Sequence, residues 1–254
     1  MNYKDFEFKV PVESVSYLED SNFVLEMIKL ILRDRCQSDN NKIIINTNLK
    51  KGLPLENINK IAGPMVEAWC CEVFSSIVES GNIKYNLINA EAQTRLGLAD
   101  VILQFSKNEN YLTANVDVKA TSEDIESSGQ MPNITSFSRI RTAYVDDPDF
   151  MFVILSIKHK VYSVKNKKTN LVDGIMEIVD YNAYDLKLIG ENDFIYNPAL
   201  GTGQIQIKDI HYVNYFKRTT WEFCQLLDKK YLHSSKRNID DWYREAIKNG
   251  WIKN

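Results

Sequence analysis

The segment NVDVKAT, residues 115–121, places an aspartate and a lysine two positions apart in an otherwise apolar strand pattern. Side chains alternate between the two faces of a strand, so Asp117 and Lys119 share one face while Val116 and Val118 point to the other. The apolar face is typical of a protein core. The polar face brings two opposite charges together, which raises the question of what they bind.

A second carboxylate is predicted to lie opposite the first. The polar stretch 107–110 is suited to a turn between two strand candidates. Symmetric pairing about that turn places Ile102 opposite Asn115 and Asp100 opposite Asp117. Like charges that face each other in this way destabilise a sheet by up to about 1 kcal/mol. A divalent cation between the two carboxylates would compensate for that repulsion.

The types of these residues indicate which cation and which reaction to expect. Carboxylate oxygens without a nearby Cys or His favour magnesium or manganese over zinc. Magnesium bound by one or two carboxylates keeps positions for waters and for phosphate oxygens of a substrate. Lys119 would stand beside the metal and stabilise the charge that builds on a phosphate under attack, or orient the attacking water. The set therefore predicts metal-dependent phosphodiester hydrolysis without a covalent intermediate.

A purely structural interpretation stays open at this point. Surface ion pairs are common, and a salt-decorated, exposed strand would show the same letters. The same spacing also occurs at Asp185 and Lys187, but only Asp117 has an upstream acid that hairpin geometry places opposite it. Glu67 is a lone carboxylate in the apolar run 65–71. It could act beside the metal, or it could be a boundary residue with its tip in water.

Helical patterns frame a central block of strand patterns. The amphipathic stretch 21–34 has Ser21 as a candidate cap, and the stretch 64–80 carries Pro64 in its first turn. Further helical patterns are residues 133–145 and two closing helices that begin near Thr219 and Asn238. Strand candidates are residues 84–90, 99–105, 111–120, 150–164, 174–182 and 203–210. This order predicts an α/β fold in which helices flank a mixed β-sheet.

Length and composition predict one domain. The chain has 254 residues, of which 44% are hydrophobic, and no repeat or Pro/Gly/Ser-rich linker divides it. We therefore expect a single catalytic and binding domain over residues 1–254. No apolar run has the length of a bilayer span, and the N-terminus lacks the pattern of a secretion signal, so we expect an intracellular protein without a membrane partner. The four cysteines lack zinc-site spacing and are expected to be reduced thiols: Cys36, Cys70, Cys71 and Cys224.

The overall charge does not indicate a nucleic-acid partner. The formal net charge is -3, whereas nucleic-acid-binding domains are usually basic. Contact with phosphates depends on local charge, however, and lysines and arginines crowd residues 158–168 and 217–237. These two segments are either solvated faces or phosphate-binding surfaces.

The longer motifs carry a family resemblance. LADVILQF followed by NVDVKAT resembles the PD-(D/E)xK nuclease core. The stretches KIAGPMVEAW, SGQMPNITSFSRIRTAYV and NPALGTGQIQIKDIHYV resemble the HpaI family of type II restriction endonucleases, essentially end to end, with HincII and EcoRV as looser relatives over the core. One departure is Ala99, which stands where the core pattern has a proline. HincII-like enzymes also lack this proline, so Asp100 keeps its assignment.

The resemblance implies a function and a set of catalytic residues. It implies a homodimer that cuts palindromic double-stranded DNA, GTTAAC, to blunt ends with Mg²⁺, for which Mn²⁺ substitutes, as part of a restriction-modification system in the bacterial cytoplasm. Asp100, Asp117 and the Val118 carbonyl are then metal ligands. Lys119 is the catalytic lysine, and Glu67 is the helix acid of this core.

The resemblance also implies two DNA-reading loops. SSGQMPN resembles the segment that approaches the minor groove, with Gln130 near the central base steps and Asn133 close behind. NPALGTG resembles the major-groove loop, which implicates Asn197, Ala199, Leu200, Gly201 and Thr202. Glycines would let the backbone approach base edges closely. An ordinary Pro/Gly turn is the alternative interpretation of this segment.

Phosphate contacts are expected from the helical pattern after Pro132. Ser136, Ser138, Arg139 and Arg141 could position DNA without reading its sequence. Because Arg139 and Arg141 point in different directions on a helix, we expect only one of the two arginines to do so.

Three alternative functions make different demands on these residues. A nuclease of the same core with a repair or structure-specific role needs no base-reading loop. A catalytically inactive DNA-binding relative needs neither the facing aspartates nor Lys119. A magnesium-dependent phosphohydrolase acting on nucleotides would be expected to have a glycine-rich phosphate loop of the Walker type, which the sequence lacks.

Overall fold

A computed structural model describes residues 2–94, 96–199 and 201–253 of the chain. The chain forms two compact units, each built from separate segments. The first, here called the large-sheet unit, comprises Asn22–Gly129 and Val153–Tyr184. The second, the small-sheet unit, comprises Met1–Ser21, Gln130–Phe152 and Asp185–Asn254. The expectation of one domain over the whole chain stays a prediction.

The described residues contain the predicted strands and helices in the predicted order, together with short elements that the patterns do not indicate at residues 42–45, 55–60, 133–136 and 194–197. The strands are β1 Lys42–Ile45, β2 Leu87–Ala92, β3 Val101–Lys107, β4 Asn110–Ser122, β5 Asn133–Ser136, β6 Met151–Lys165, β7 Val172–Asp185, β8 Phe194–Asn197 and β9 Gln204–Ile207. The helices are α1 Tyr17–Gln37, α2 Leu55–Lys60, α3 Ala62–Glu79, α4 Phe137–Asp146, α5 Thr220–Leu232 and α6 Ile239–Lys248. The predicted α/β class, a mixed sheet flanked by helices, is confirmed.

Six strands form the large sheet in the order β1-β7-β6-β4-β3-β2. Helix α3 packs against β2 and β4. It does so because its apolar side chains recur at helical spacing and are buried together: Val66, Cys70, Val73, Phe74 and Ile77. Pro64 lies in the first turn of α3, as predicted, where its missing N–H costs no intrahelical hydrogen bond.

The β3–β4 hairpin has the predicted register. Ile102 pairs with Asn115, and the tight turn uses Asn108 and Glu109 with positive φ values of 49° and 68°. Two successive residues with positive φ match the twist of the flanking strands, which pins the register. Asp100 directly precedes β3, and its N–H donates to Val116 O at 3.0 Å. Continuing the ladder by this one residue places Asp100 opposite Asp117.

The small-sheet unit contains three strands in the order β5-β9-β8. Helix α4 contacts β5 and α5, and α5 contacts β8 and α6. Both predicted starts of the closing helices are confirmed. Thr219 caps α5 through a reciprocal pair of hydrogen bonds with Glu222, and the Asn238 side chain caps α6 by accepting a hydrogen bond from the Asp241 N–H.

Two expectations about helix boundaries were wrong. Helix α1 begins at Tyr17, so Ser21 lies inside it; Ser21 is buried and its hydroxyl donates to Asp185 Oδ2 at 2.7 Å. Residues 133–136, which have helical spacing of apolar side chains, form strand β5 instead. They do so because β9 pairs with them, and a tertiary strand pairing outweighs a short periodic pattern.

Among the described residues, no helix is long and apolar enough to cross a membrane.

Candidate active site

Asp117 and Lys119 meet on one face of β4. Asp117 is 5% exposed. The Lys119 ammonium donates to Asp117 Oδ1 at 2.8 Å and lies 2.7 Å from Oδ2. The interpretation of this pair as an exposed, salt-decorated strand face is therefore wrong, because the carboxylate is buried.

Asp100 is held beside this pair by the main chain of the neighbouring strand. Its Oδ2 accepts a hydrogen bond from the Val118 N–H at 2.7 Å. Asp100 is thus fixed against the residue between Asp117 and Lys119. The structure brings the three predicted side chains together, as the hairpin register requires.

The pKa of Asp117 is shifted by burial and by several nearby charges. Burial raises the pKa of Asp117 to about 7, and the Lys119 ammonium opposes that shift. The negative charges of Asp100 and Glu67 raise the pKa further. Glu67 is a half-buried residue of α3. The charges of Asp100, before β3, and of Glu67, on α3, therefore both act on the Asp117 carboxylate of β4.

A metal ion fits the donor atoms around Asp117. Asp117 Oδ2 is buried and receives no hydrogen bond from any described residue, although it lies within ion-pair distance of the ammonium. A buried carboxylate oxygen with an ammonium as its one described neighbour and no hydrogen bond has room for a further contact to a metal ion or an ordered water. The described residues contain no group of three or more His, Cys, Asp and Glu side chains placed to hold a metal. Two carboxylates are the number that Mg²⁺ commonly takes from a protein.

The similarly spaced pair Asp185 and Lys187 differs in its surroundings. The Asp185 carboxylate accepts hydrogen bonds from the Tyr17 and Ser21 hydroxyls and from the Lys187 N–H. The Lys187 ammonium, fully buried, donates to the Thr220 hydroxyl at 2.9 Å. Both Asp185 oxygens are satisfied, so this pair holds segments of the small-sheet unit together.

The loop after β8 is held by hydrogen bonds from two side chains, Tyr196 and Arg237. Tyr196 donates to Thr202 O at 2.7 Å. The Arg237 guanidinium donates to Tyr196 Oη at 2.9 Å, to Pro198 O at 3.1 Å and to Gly201 O. Five donors in a rigid fork allow one arginine to hold three acceptors at once. The loop therefore has a defined conformation although much of it is exposed.

Glycine is required at one position of this loop. Gly203 has φ +92°, and a Cβ atom there would lie 2.2 Å from Tyr196 Oη. Gly201 has φ +50°, but a Cβ there would meet open space. Close contact with the tyrosine ring, together with the backbone conformation, explains Gly203. Leu200 lies outside the described residues.

The same loop is linked to the start of α4. The Thr202 hydroxyl lies 3.1 Å from Ser136 Oγ and 2.9 Å from Ser138 Oγ. The Phe137 N–H donates to Gly203 O at 3.0 Å. Of the predicted DNA-contacting residues, Ser136 and Ser138 are thus both brought into contact with Thr202, which is distant from them in sequence.

The segment with Gln130 and Asn133 runs along β9. Gln130 forms a bridge with Asp209, and the Met131 N–H donates to Lys208 O at 3.1 Å. Asn133 is exposed and pairs with Gln206. Both predicted side chains are therefore on the surface of the small-sheet unit.

Comparison with known proteins identifies the family. The family model "Type II restriction endonuclease HpaI" matches residues 4–250. The chain belongs to this family. It is also 65% identical over 253 residues to the "Type II restriction enzyme HpaI" of Haemophilus parainfluenzae, a match that covers 100% of each chain. The end-to-end resemblance inferred from the motifs is confirmed.

Membership in the HpaI family establishes the class of enzyme. The chain is a type II restriction enzyme, which is a site-specific endonuclease and hydrolase that binds DNA. Enzymes of this type generally use divalent metal ions. The Asp117 and Asp100 carboxylates and the Lys119 ammonium have chemistry that fits that class.

One predicted DNA contact is wrong. Arg141 is fully buried, and its guanidinium forms a paired interaction with the Asp228 carboxylate at 3.2 Å. Trp221 and Trp251 lie beneath it, with ring centroids 5.7 and 5.2 Å away. A charge in this position stabilises the core of the unit and cannot reach a phosphate. Arg139 is exposed, so it remains the predicted phosphate contact of the two arginines.

The sequence analysis did not connect Arg237 with the loop after β8. It grouped Arg237 with surface lysines, because nothing near it in the sequence connects it to a loop 36 residues earlier. Tyr196 was likewise assigned to no predicted element and given no role. The last glycine of NPALGTG, Gly203, was the one local signal. A glycine often marks a position where another group lies too close for a Cβ atom.

Proposed function

We propose that this restriction endonuclease hydrolyses phosphodiester bonds in palindromic double-stranded DNA at GTTAAC, leaving blunt ends, with Mg²⁺ as cofactor. The observation that carries the chemistry is the buried Asp117 carboxylate, which accepts a hydrogen bond from the Lys119 ammonium, with Asp100 bonded to the neighbouring Val118 N–H. The target follows from the likeness to HpaI over the whole chain.

Asp100, Asp117 and the Val118 carbonyl would hold the metal. When bound, Mg²⁺ neutralises the scissile phosphate and lowers the pKa of a coordinated water. Asp117 offers Oδ2, which has no hydrogen bond from a described residue. Asp100 offers the oxygen that the Val118 N–H does not use. Mn²⁺ takes similar oxygen ligands and is expected to substitute.

Lys119 and Glu67 act beside these ligands. The Lys119 ammonium is positioned by Asp117, so it can donate a hydrogen bond to a phosphate oxygen or to the attacking water on the same face of β4. Glu67 is proposed as a further carboxylate that shapes the site, because its charge acts on Asp117 from α3.

DNA recognition is assigned to the small-sheet unit. Gln130 and Asn133 are proposed to approach the minor groove, and Ser136 and Arg139 to contact phosphates. The major-groove loop is proposed to comprise Asn197, Ala199, Leu200, Gly201 and Thr202. Because the chain passes between the two units several times, we propose that residues 1–254 act as one catalytic and DNA-binding domain.

A palindromic target implies a two-fold symmetric enzyme, so we propose a homodimer. As part of a restriction-modification system it would act in the bacterial cytoplasm, where its DNA substrate is. Light scattering after size-exclusion chromatography tests the assembly: the expected mass is twice the 29.4 kDa of one chain. A monomeric mass in the presence of target DNA would contradict the dimer.

The decisive experiment for the function is cleavage of a plasmid with one GTTAAC site, followed by sequencing of the fragment ends. We expect a single blunt cut within the site in Mg²⁺ or Mn²⁺ and none in EDTA. A plasmid without the site is the control. Cleavage of both plasmids would indicate a structure-specific or repair nuclease instead. Specific binding without cleavage would indicate an inactive relative.

A further inference from the structure

The predicted DNA-reading residue Asn133 is joined to a neighbour on β9. Gln206 lies opposite Asn133 in the β5–β9 pairing. Its Nε2 donates two hydrogen bonds, one to Met131 O at 2.9 Å and one to Asn133 Oδ1 at 2.9 Å. Two side-chain amides and one main-chain carbonyl therefore form a continuous chain on the surface.

The carbonyl at one end determines the orientation of both amides. A main-chain carbonyl can only accept hydrogen bonds, so the Gln206 atom beside Met131 O must be the NH₂ group. The second hydrogen of that NH₂ group points to Asn133, and the atom that receives it must be an oxygen. The Asn133 oxygen is thereby turned towards Gln206. Its own NH₂ group is left as the end directed away from the pair.

The position of the carbonyl is itself well fixed. Met131 has a positive φ of 48°, and its N–H donates to Lys208 O at 3.1 Å, one residue beyond the end of β9. Hydrogen bonds on both its N–H and its carbonyl, to Lys208 and to Gln206, hold this residue in an unfavourable backbone conformation. Met131 O is therefore a stable reference for the amide chain.

We propose that Gln206 is a specificity-determining positioning residue, which orients Asn133 so that the Asn133 NH₂ group faces the DNA. This inference rests on the proposed function, in which Asn133 approaches the minor groove. An amide free to rotate by a half-turn presents either a donor or an acceptor. Gln206 removes that choice, so Asn133 reads only hydrogen-bond acceptors on base edges.

This restriction has a defined consequence for base preference. In the minor groove, A·T and T·A pairs present only acceptors, at adenine N3 and thymine O2, whereas a G·C pair adds the guanine NH₂ donor. A fixed NH₂ group on the protein is compatible with A·T pairs and meets a second donor at G·C. Gln206 thus adds discrimination against G·C without touching a base.

The test uses base analogues in the target duplex, with specific binding measured in Ca²⁺ in place of Mg²⁺. 3-Deazaadenine removes the minor-groove acceptor, and 2-aminoadenine adds a donor there. For the wild-type protein we expect each analogue to weaken binding by about tenfold at the adenine that Asn133 contacts, the size of one hydrogen bond. Gln206→Glu, which cannot donate to Met131 O, and Gln206→Leu should both reduce this sensitivity to less than twofold.

Three controls separate positioning from a merely structural role. Gln225→Glu places the same charge on an exposed part of α5 and should keep the full analogue sensitivity. Asn133→Ala should abolish the sensitivity. In the Asn133→Ala background, Gln206→Leu should cause no further loss of sensitivity, because Gln206 acts through Asn133. Thermal unfolding of each variant verifies that the fold is retained.

The outcomes distinguish this inference from the function on which it rests. Full analogue sensitivity in the folded Gln206 variants, or in Asn133→Ala, would overturn the role of Gln206. A wild-type protein that shows no preference for its target over other DNA would instead contradict the proposed function.

Discussion

The candidate active site and the candidate DNA-reading loop are held in place by different kinds of contact. In the large-sheet unit, Asp100, Asp117 and Lys119 are positioned by the main chain of one hairpin. In the small-sheet unit, the loop after β8 is positioned by side chains, chiefly by Arg237, which is distant in sequence, together with Tyr196 of β8. The first arrangement is local in sequence, and the second is not.

The difference follows from what each site must do. A hydrolytic site concentrates charge where water is scarce, because electrostatic interactions there are stronger. Strands buried on one face supply such a place. A loop that reads DNA must expose its polar groups and still hold them in one geometry. Hydrogen bonds from side chains behind the loop provide that rigidity without burying its outer surface.

The largest expected effect comes from removing a charged side chain of the candidate active site. Asp117→Ala or Lys119→Ala should lower the rate of cleavage by about 10²–10³-fold or more, because each removes a charge that stabilises the transition state. Specific binding in Ca²⁺ should persist, since the reading loop is in the other unit. Cleavage is measured by single-turnover kinetics on a short duplex. Near-normal cleavage by Asp117→Ala would contradict the metal assignment.

The next effect separates the two glycines of the reading loop. Gly203→Ala should destabilise the protein by about 1–3 kcal/mol, because its Cβ would clash with the Tyr196 ring at a strained φ. Gly201→Ala, which meets open space, should cost less, about 1 kcal/mol. Urea unfolding measures both changes. Equal losses of stability for the two variants would show that the loop changes its conformation at Gly203 and so avoids the clash.

Replacing Arg237 tests whether the conformation of the loop after β8 depends on the hydrogen bonds of that arginine. Arg237→Lys retains the charge but cannot hold Tyr196 Oη, Pro198 O and Gly201 O together. We expect the ratio of specific to non-specific DNA binding to fall by about tenfold, the size of one to two hydrogen bonds. The cleavage rate of the bound complex should change less, because the active site is untouched.

The matched control for this experiment is Arg244→Lys. Arg244 is exposed and forms an ion pair within α6 with Asp241. Surface pairs of this kind contribute little, so the variant should bind DNA as the wild type does. A similar loss of specificity in both variants would mean that the loss does not come from the hydrogen bonds of Arg237 to the loop.

The smallest expected effect is a pH dependence in the large-sheet unit. His159 is 2% exposed and its Nε2 lies 3.0 Å from Asn59 Oδ1. Burial lowers the pKa of His159 below its usual 6.5, although the Asp124 charge opposes the shift. The folded state thus resists protonation. Stability is complete above pH 6.5 and declines as the pH falls from 6.5 towards the lowered pKa.

Urea unfolding at pH 7.5 and pH 5 measures this decline, and His159→Gln should reduce it. The glutamine retains a donor for Asn59 but does not titrate in this range. If the wild type and His159→Gln lose equal stability on acidification, the pH dependence has another source.

Much of the fold could be predicted because its signals are local. The turn at Asn108 and Glu109 sets the β3–β4 register, and the caps at Thr219 and Asn238 start α5 and α6. In each case the interacting residues are within a few positions of one another. Asp100, Asp117 and Lys119 were found for the same reason, since one hairpin carries all three.

The sequence by itself thus determined the family, the α/β class, the register of the β3–β4 hairpin and the starts of the closing helices. Only the tertiary structure decided that residues 133–136 form a strand, that Ser21 and Arg141 are buried, and that Arg237 and Gln206 bond to the loop after β8 and to Asn133. Periodicity, turns and caps are properties of neighbouring residues. Burial and distant hydrogen bonds depend on which segments meet in the folded chain, and no local pattern specifies that.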